Sequence, residues 1–360
     1  MLWRNENLKL TATVTWRRFV ALFLGVFFGG LAGLYAFVLL VDPYGVVPFS
    51  LPVERRIVSI NQRHMYPQMV QSGRFDSIVL GTSTSRLLDP EQLNGLFGAR
   101  FFNAAMNSGR AWEQKLIFDK FVDKVPAPKV VIVGLDTVWC QSNAASHRFG
   151  YPDFPHWMYD ANPWNDLLHL LNAKTVEHAG RLVATWVGII RDRVRGDGFE
   201  VFVPPEEIYD AERARHRVWD EDGRPRPREL AGPPVAWSAE RRRSLRLPAL
   251  AWLDDMLARL PPATLKVLAY MPVHVAVQPL PGSSGAEVEA ECKDRIETIA
   301  RRRDARVVDW RIASRLTRDE SNYWDALHFR LPVARRVARD LAAAVLEGRE
   351  APDGSYRLTR

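Results

Sequence analysis

The sequence predicts an α/β protein with a parallel sheet, preceded by one helix long enough to cross a membrane. Three observations carry this reading. Residues 19–41 carry no charge, five short runs rich in Val, Ile or Phe lie at 77–81, 100–103, 129–136, 266–272 and 305–310, and helical patterns separate those runs. None of the five alternates polar with apolar residues, as expected of strands covered on both faces. Strands alternating with helices imply right-handed crossovers within one sheet.

The first element is FVALFLGVFFGGLAGLYAFVLLV, residues 19–41. At about 1.5 Å per residue it spans a bilayer core. A cleaved leader would have an apolar region of roughly 7–15 residues followed by a small-residue cleavage site. Here the run is longer and ends at VDPYG, which predicts an uncleaved anchor. Arg17 and Arg18 precede it directly, with Arg4 and Lys9 further back, and the first charge after it is Asp42. The positive-inside bias therefore puts residues 1–18 in the cytoplasm and everything after the anchor on the outer side. Gly25, Gly29 and Gly33 recur every fourth residue. They line one helix face that admits close approach by another helix, or they reflect the general frequency of Gly in membrane helices.

After a connector at 42–74, the outer domain is expected at 75–348, with a tail at 349–360. Its strands are SIVLG, RFFN, KVVIVGLD, KVLAYMP and ARVVDW, and its helices fall at 112–122, 239–260, 286–303 and 332–347. The span 140–237, after the third strand, is far longer than the loops of about 2–6 residues usual in such folds. It reads as an insertion over the carboxyl edge of the sheet. Within it, PDFPHWMYDANPW suggests an aromatic lid, followed by a helix at 173–193 and a charged, Pro-containing stretch at 204–234.

With 360 residues and 47% hydrophobic composition, the chain can bury a full core. The net charge of +7 is modest and its basic residues are scattered, so no nucleic-acid footprint is present. Cys140 and Cys292 have no zinc-ligand spacing, and neither a metal nor a cofactor is implied. One disulfide is permitted in an oxidising compartment but does not follow from two positions.

Open parallel sheets bind ligands just outside the carboxyl ends of their strands. Following the strands here are GTSTSR at 81–86, NAAMNSG at 103–109, Asp136, and Pro272-Val273-His274, with a final loop NYWDALHFR at 322–330. A serine becomes a nucleophile when a base takes its proton and a carboxylate orients that base. Ser83, His328 and Asp325 supply these three roles. Locally, GTSTS could equally cap a helix, and DALH could be one helical turn in which the carboxylate caps or pairs with the imidazole. Ser85 is an alternative nucleophile, further from the strand end. Arg86 either balances an anionic substrate or joins a surface ion pair. His274 either lines the pocket or is structural. Trp139, Trp157 and Trp164 either stack on sugar rings or pack a core within the insertion.

Taken together, GTSTSRLLDP, FFNAAMNSG, VVIVGLD and YWDALHF resemble the SGNH/GDSL hydrolase superfamily. They look specifically like its membrane-anchored bacterial branch, related to alginate O-acetylation proteins and to the D-alanyl transfer protein of teichoic acids. The likeness covers about residues 75–136 and 265–347 and leaves the insertion out. It implies a flavodoxin-like domain with a five-stranded parallel sheet, Ser83 as nucleophile with its own N–H in the oxyanion hole, and Asp325 and His328 as acid and base. The family's glycine after the second strand falls near Ala105, which can still offer a backbone N–H. The family's asparagine after the third strand is replaced by Asp136, which accepts but does not donate when ionised, so Asn107 is the candidate substitute donor. Loss of one oxyanion donor typically costs roughly 10²–10³ in rate.

The resemblance implies a serine esterase or acyltransferase in the bacterial inner membrane, its main domain periplasmic, acting on O-acyl groups of an envelope glycan. A membrane-bound O-acyltransferase is the partner expected at the Gly25/Gly29/Gly33 face. The alternative is a non-catalytic accessory or glycan-binding protein with a degenerate fold, favoured by Asp136 and opposed by the intact Ser83, Asp325 and His328.

Overall fold

A computed structural model describes residues 16–50, 53–192, 194–219, 229–230 and 232–359. Arg4, Lys9 and the centre of the charged stretch, 220–228, lie outside the described residues. The chain is a mixed α/β protein around six strands: β1 (Ser77–Leu80), β2 (Phe101–Asn103), β3 (Val130–Leu135), β4 (Leu265–Tyr270), β5 (Ala305–Asp309) and β6 (Arg357–Thr359). Their order is β2-β1-β3-β4-β5-β6, and the first five run parallel. The sixth corrects the five-strand expectation. It lies in the segment read as a tail and pairs antiparallel with β5, Leu358 opposite Val308.

Alternation along the strands sorts the core into two layers. Ile78, Leu80, Phe102, Val131, Val133 and Leu268 face one side of the sheet. Their neighbours Val79, Phe101, Val130, Ile132, Val267 and Ala269 face the other. Both sides are buried, so a period-two structure carries an unbroken apolar sequence. The first layer receives Met65, Ile117, Leu253 and Ile296, from helices Gln62–Val70, Ala111–Lys124, Ala249–Ala258 and Ser284–Arg303. The second receives Leu93, Val337 and Leu341, from Pro90–Phe97 and Leu331–Glu347. Each fully buried Val, Leu, Ile or Phe contributes about 1.5–3 kcal/mol. The helix expected at 239–260 is broken into Ala239–Ser244 and Ala249–Ala258. Pro248, which lacks an N–H and disfavours helix at the residue before it, accounts for the break.

One N-terminal helix, Trp16–Val41, is long and apolar enough to span a membrane. Its last turns belong to the domain, however. Val38 and Val41 are buried, and the Tyr35 hydroxyl donates to Leu167 O at 2.8 Å. Asp42 then turns the chain: it adopts φ 44°, its carboxylate accepts from Val46 N and Val47 N at 3.0 and 3.2 Å, and it pairs with Arg55 at 2.9 Å. A Cβ placed on Gly25, Gly29 or Gly33 would meet nothing within 4 Å among the described residues, so that face is open.

The insertion does not form a single lid. Its aromatic stretch packs with the connector: Phe154, Met158 and Tyr159 are buried in the first layer, and the Tyr159 hydroxyl donates to Arg63 O at 2.9 Å. The helix expected at 173–193 ends at Trp186. Gly150 and Tyr151 lie against the segment after β2, beside Ser108 and Asn107, and the later part reaches the carboxyl edge at Asp197, whose O accepts from Asn103 N at 2.8 Å. Cys140 and Cys292 form a disulfide, which ties the segment after β3 to helix Ser284–Arg303.

Within the connector, His64 is buried and its Nδ1 has no hydrogen-bond partner among the described residues. Burial, helped by nearby Lys174 and His178, pushes its pKa down from 6.5 to about 4. Between those values the unfolded chain binds the proton and the folded chain does not, so this contribution is full above the unfolded pKa and lost as pH falls. Acidification from pH 7 to 5 is expected to cost about 2 kcal/mol at this site. Thermal melts of His64→Gln should be correspondingly less sensitive to acid than those of the parent chain.

Candidate active site

Strand β1 delivers its turn through two glycines. A Cβ on Gly134 of β3 would sit 1.9 Å from Ser85 Oγ, and one on Gly81 would sit 2.4 Å from it. Their absence lets Ser85 sink completely beneath the turn Ser83–Ser85 while Ser83 stays half-buried at the surface. The alternative nucleophile is therefore corrected: Ser85 is 0% exposed and its hydroxyl has no hydrogen-bond partner among the described residues.

The final loop meets this turn. His328 Nε2 lies 2.9 Å from Ser83 Oγ, and His328 Nδ1 lies 2.8 Å from Asp325 Oδ2. DALH is a tight turn, not a turn of helix. Trp324 N donates to His328 O at 2.8 Å, Tyr323 bridges Phe329, and His274 N donates to Ala326 O at 2.9 Å. The Asp325 carboxylate both caps this turn, accepting from Leu327 N and His328 N at 2.8 and 2.9 Å, and faces the imidazole. Partial burial raises its pKa, but hydrogen bonds from the imidazole and these two amides outweigh that and hold it below the usual range. An ionised Asp325 keeps the proton on Nδ1 and leaves the Nε2 lone pair toward Ser83.

His274 contributes through its backbone. Its ring is fully buried between Trp219 and Tyr323, its Nδ1 accepts from Ala276 N at 3.1 Å, and burial lowers its pKa. That corrects the pocket-lining expectation. Arg86 is likewise neither a surface ion pair nor a free substrate contact. At 2% exposure it pairs with Glu200, donates to Asn107 Oδ1 at 2.8 Å and lies 4.6 Å over the Phe202 ring. Phe202 packs edge-on against His328 at 5.4 Å, so the insertion supports the imidazole.

Possible oxyanion donors are fewer than the sequence suggests. Ser83 N–H makes no hydrogen bond among the described residues. Ala105 N–H is occupied, donating to Asn103 Oδ1 at 3.0 Å, which removes it from the expected role. Asn107 lines a separate cleft with Arg63 and Tyr151, and Arg86 holds its side-chain oxygen. Asp136 does lie at the site, in a cavity of about 200 Å³ shared with Thr82, Ser83, Val138 and Leu327. Its carboxylate accepts from the Thr82 hydroxyl and from Val138 N at 3.0 Å. Burial pushes its pKa up, against the pull of Arg311 and Thr82. Trp139 is fully buried, Trp157 stacks on His169, and Trp164 is exposed; none lines this cavity. A larger cleft of about 450 Å³ lies at the connector and contains none of the strand-end residues. Among the described residues no group of three His, Cys, Asp or Glu could hold a metal ion.

Sequence reasoning missed Arg311, which also lines the cavity. It stands two residues past β5, so the strand-end rule extended to the fifth strand would have found it. Phe202 carried no signal, because its neighbour His328 is 126 positions away. No protein-family model matches the chain, and no curated protein matches it.

Proposed function

We propose that the chain is a membrane-anchored serine esterase or acyltransferase of the SGNH type, acting on O-acyl groups of an envelope glycan. The single observation that carries this reading is the continuous contact from Asp325 through His328 to the Ser83 hydroxyl. In this reading Ser83 Oγ attacks the acyl carbonyl while His328 Nε2 takes its proton. The protonated His328 then gives that proton to the departing sugar oxygen, leaving an acyl group on Ser83. Water or an acceptor hydroxyl attacks the acyl-enzyme by the same relay in reverse. The order β2-β1-β3-β4-β5, the serine after β1 and the D-x-x-H turn before the last helix support a flavodoxin-like assignment within that superfamily. Arg17 and Arg18 before the anchor support an outer, periplasmic domain, and the disulfide suits an oxidising compartment.

A test is to incubate the full chain in detergent with an O-acetylated oligosaccharide and a hydroxyl-bearing acceptor glycan. Acetate release or acetylated acceptor, absent with Ser83→Ala, is expected. Glycan binding without any turnover would select the accessory reading, which the occupied Ala105 N–H and the acid at position 136 favour.

Asp136 need not disable the site. Burial favours its neutral form, and a protonated carboxyl can donate to an oxyanion where a carboxylate cannot. That donor is present below its raised pKa and is lost as pH rises through it. Asp136→Asn is expected to retain activity and lose this decline with rising pH. Asp136→Ala should fall by about 10²–10³ in kcat.

The open glycine face is assigned in this reading to a membrane-bound O-acyltransferase that supplies the acyl group. Gly29→Leu should impair glycan acylation in cells while the detergent-solubilised chain keeps its esterase activity.

A further inference from the structure

The cavity beside Ser83 is lined by a guanidinium that no hydrogen bond or ion pair holds among the described residues. Arg311 is only 7% exposed, and its Nε is covered without a hydrogen-bond partner among the described residues. No side-chain hydrogen bond or ion pair joins Arg311 to any described residue; only its backbone is engaged, the N–H donating to Asp309 Oδ1 at 2.8 Å and the carbonyl accepting from Lys293 Nζ at 2.8 Å. Charged groups this deeply buried are normally paired, because removing them from water costs several kcal/mol.

The acids around the cavity do not supply the missing partner. Glu289, which also lines it, sits 3.1 Å from Lys293 Nζ, and the same ammonium is 2.8 Å from Asp309. Asp136 is near enough for Arg311 to pull its pKa down, but no ion pair joins the two; its carboxylate is engaged by the Thr82 hydroxyl and Val138 N, and burial outweighs the pull and favours the neutral acid. Arg110 adds positive potential near Asp136, and its Nη1 is used on Gln141 at 3.2 Å. Among the described residues, the wall shared with Ser83 therefore keeps a guanidinium fork that no hydrogen bond or ion pair engages.

We propose that this cavity is an anion subsite, in which Arg311 engages a carboxylate or phosphate group of the substrate and so determines specificity. The assignment deepens the serine-acyltransfer reading by naming the substrate class as an anionic sugar. A planar guanidinium suits either group, since both accept two parallel N–H bonds. With the anion held there, an ester on a neighbouring hydroxyl would be presented to Ser83.

Binding tests the proposal independently of turnover. The full chain in detergent, carrying Ser83→Ala, is titrated with glucuronate, with its neutral methyl ester and with glucose 6-phosphate. At least one anion should bind more tightly than the neutral ester, and which one does so identifies the group. Adding Arg311→Gln should weaken that anion by about ten- to a hundred-fold and leave the neutral ester unchanged. Arg311→Lys, which keeps the charge but loses the fork, should fall between, and thermal melts establish that each variant is folded. Equal binding of all three ligands, no binding of any, or an anion preference that survives in a folded Arg311 variant overturns the subsite. Anion preference without Ser83 reactivity in the parent chain would instead sink the acyltransfer reading and leave the subsite standing.

Discussion

Replacing Ser83 or His328 by alanine is expected to reduce esterase turnover by about 10⁴–10⁶, with the double variant little worse than either single one. The reason is the shared proton. Ser83 Oγ and His328 Nε2 are 2.9 Å apart, so the hydroxyl has its acceptor in place before substrate arrives. Without the imidazole the serine stays a weak nucleophile; without the serine the imidazole has no proton to move. Neither side chain carries the fold, since Ser83 is half-buried on a short turn and the loop holding His328 is fastened through Trp324 N and His274 N. Melting temperatures of both variants should therefore stay close to that of the parent, separating lost chemistry from lost structure. Multiplicative losses in the double variant would mean that the two residues do not act as a unit.

Asp325→Asn should lower kcat by about 10⁴ while the loop remains folded. The amide oxygen can still accept from Leu327 N and His328 N, so the turn keeps its cap. The amide nitrogen, however, presents donors to Nδ1 where the carboxylate presented only acceptors. The imidazole then favours the tautomer with its proton on Nε2, and a protonated Nε2 cannot take the proton of Ser83. Rates of Ser83→Ala and Asp325→Asn measured on one chromogenic ester, together with melts, would test this. Near-normal turnover in Asp325→Asn would assign the carboxylate to capping alone.

Much of this architecture is legible in the residues, and the exceptions have physical causes. Strands β1, β3, β4 and β5 stand out because burial on both faces forces continuous apolar sequence, as in VVIVGL at Val130–Leu135. Strand β6, the three residues RLT at the edge, has no such requirement; its positions are exposed or half-buried and reveal nothing in sequence. The acid and histidine of DALH are local to one turn, whereas the serine they face is 245 positions away, and only the strand-end rule brings them together. Backbone occupancy was not legible at all. Nothing in NAAMNSG indicates that the Asn103 side chain folds back onto Ala105 N–H, or that Gly134 on another strand decides that Ser85 is buried. The same holds for charges: Arg86 and Arg311 are both arginines past a strand, yet one is paired with Glu200 and the other has no side-chain hydrogen bond or ion pair among the described residues.

The central claim is that His328 activates Ser83 as a nucleophile. Reaction of the full chain in detergent with a fluorophosphonate, followed by peptide mapping, measures this without knowledge of the acyl group or the glycan. The account predicts one adduct, on Ser83, absent in Ser83→Ala and slowed by at least about 10³ in His328→Ala. An unreactive Ser83 in the folded parent chain, or labelling that proceeds equally well without His328, would contradict it.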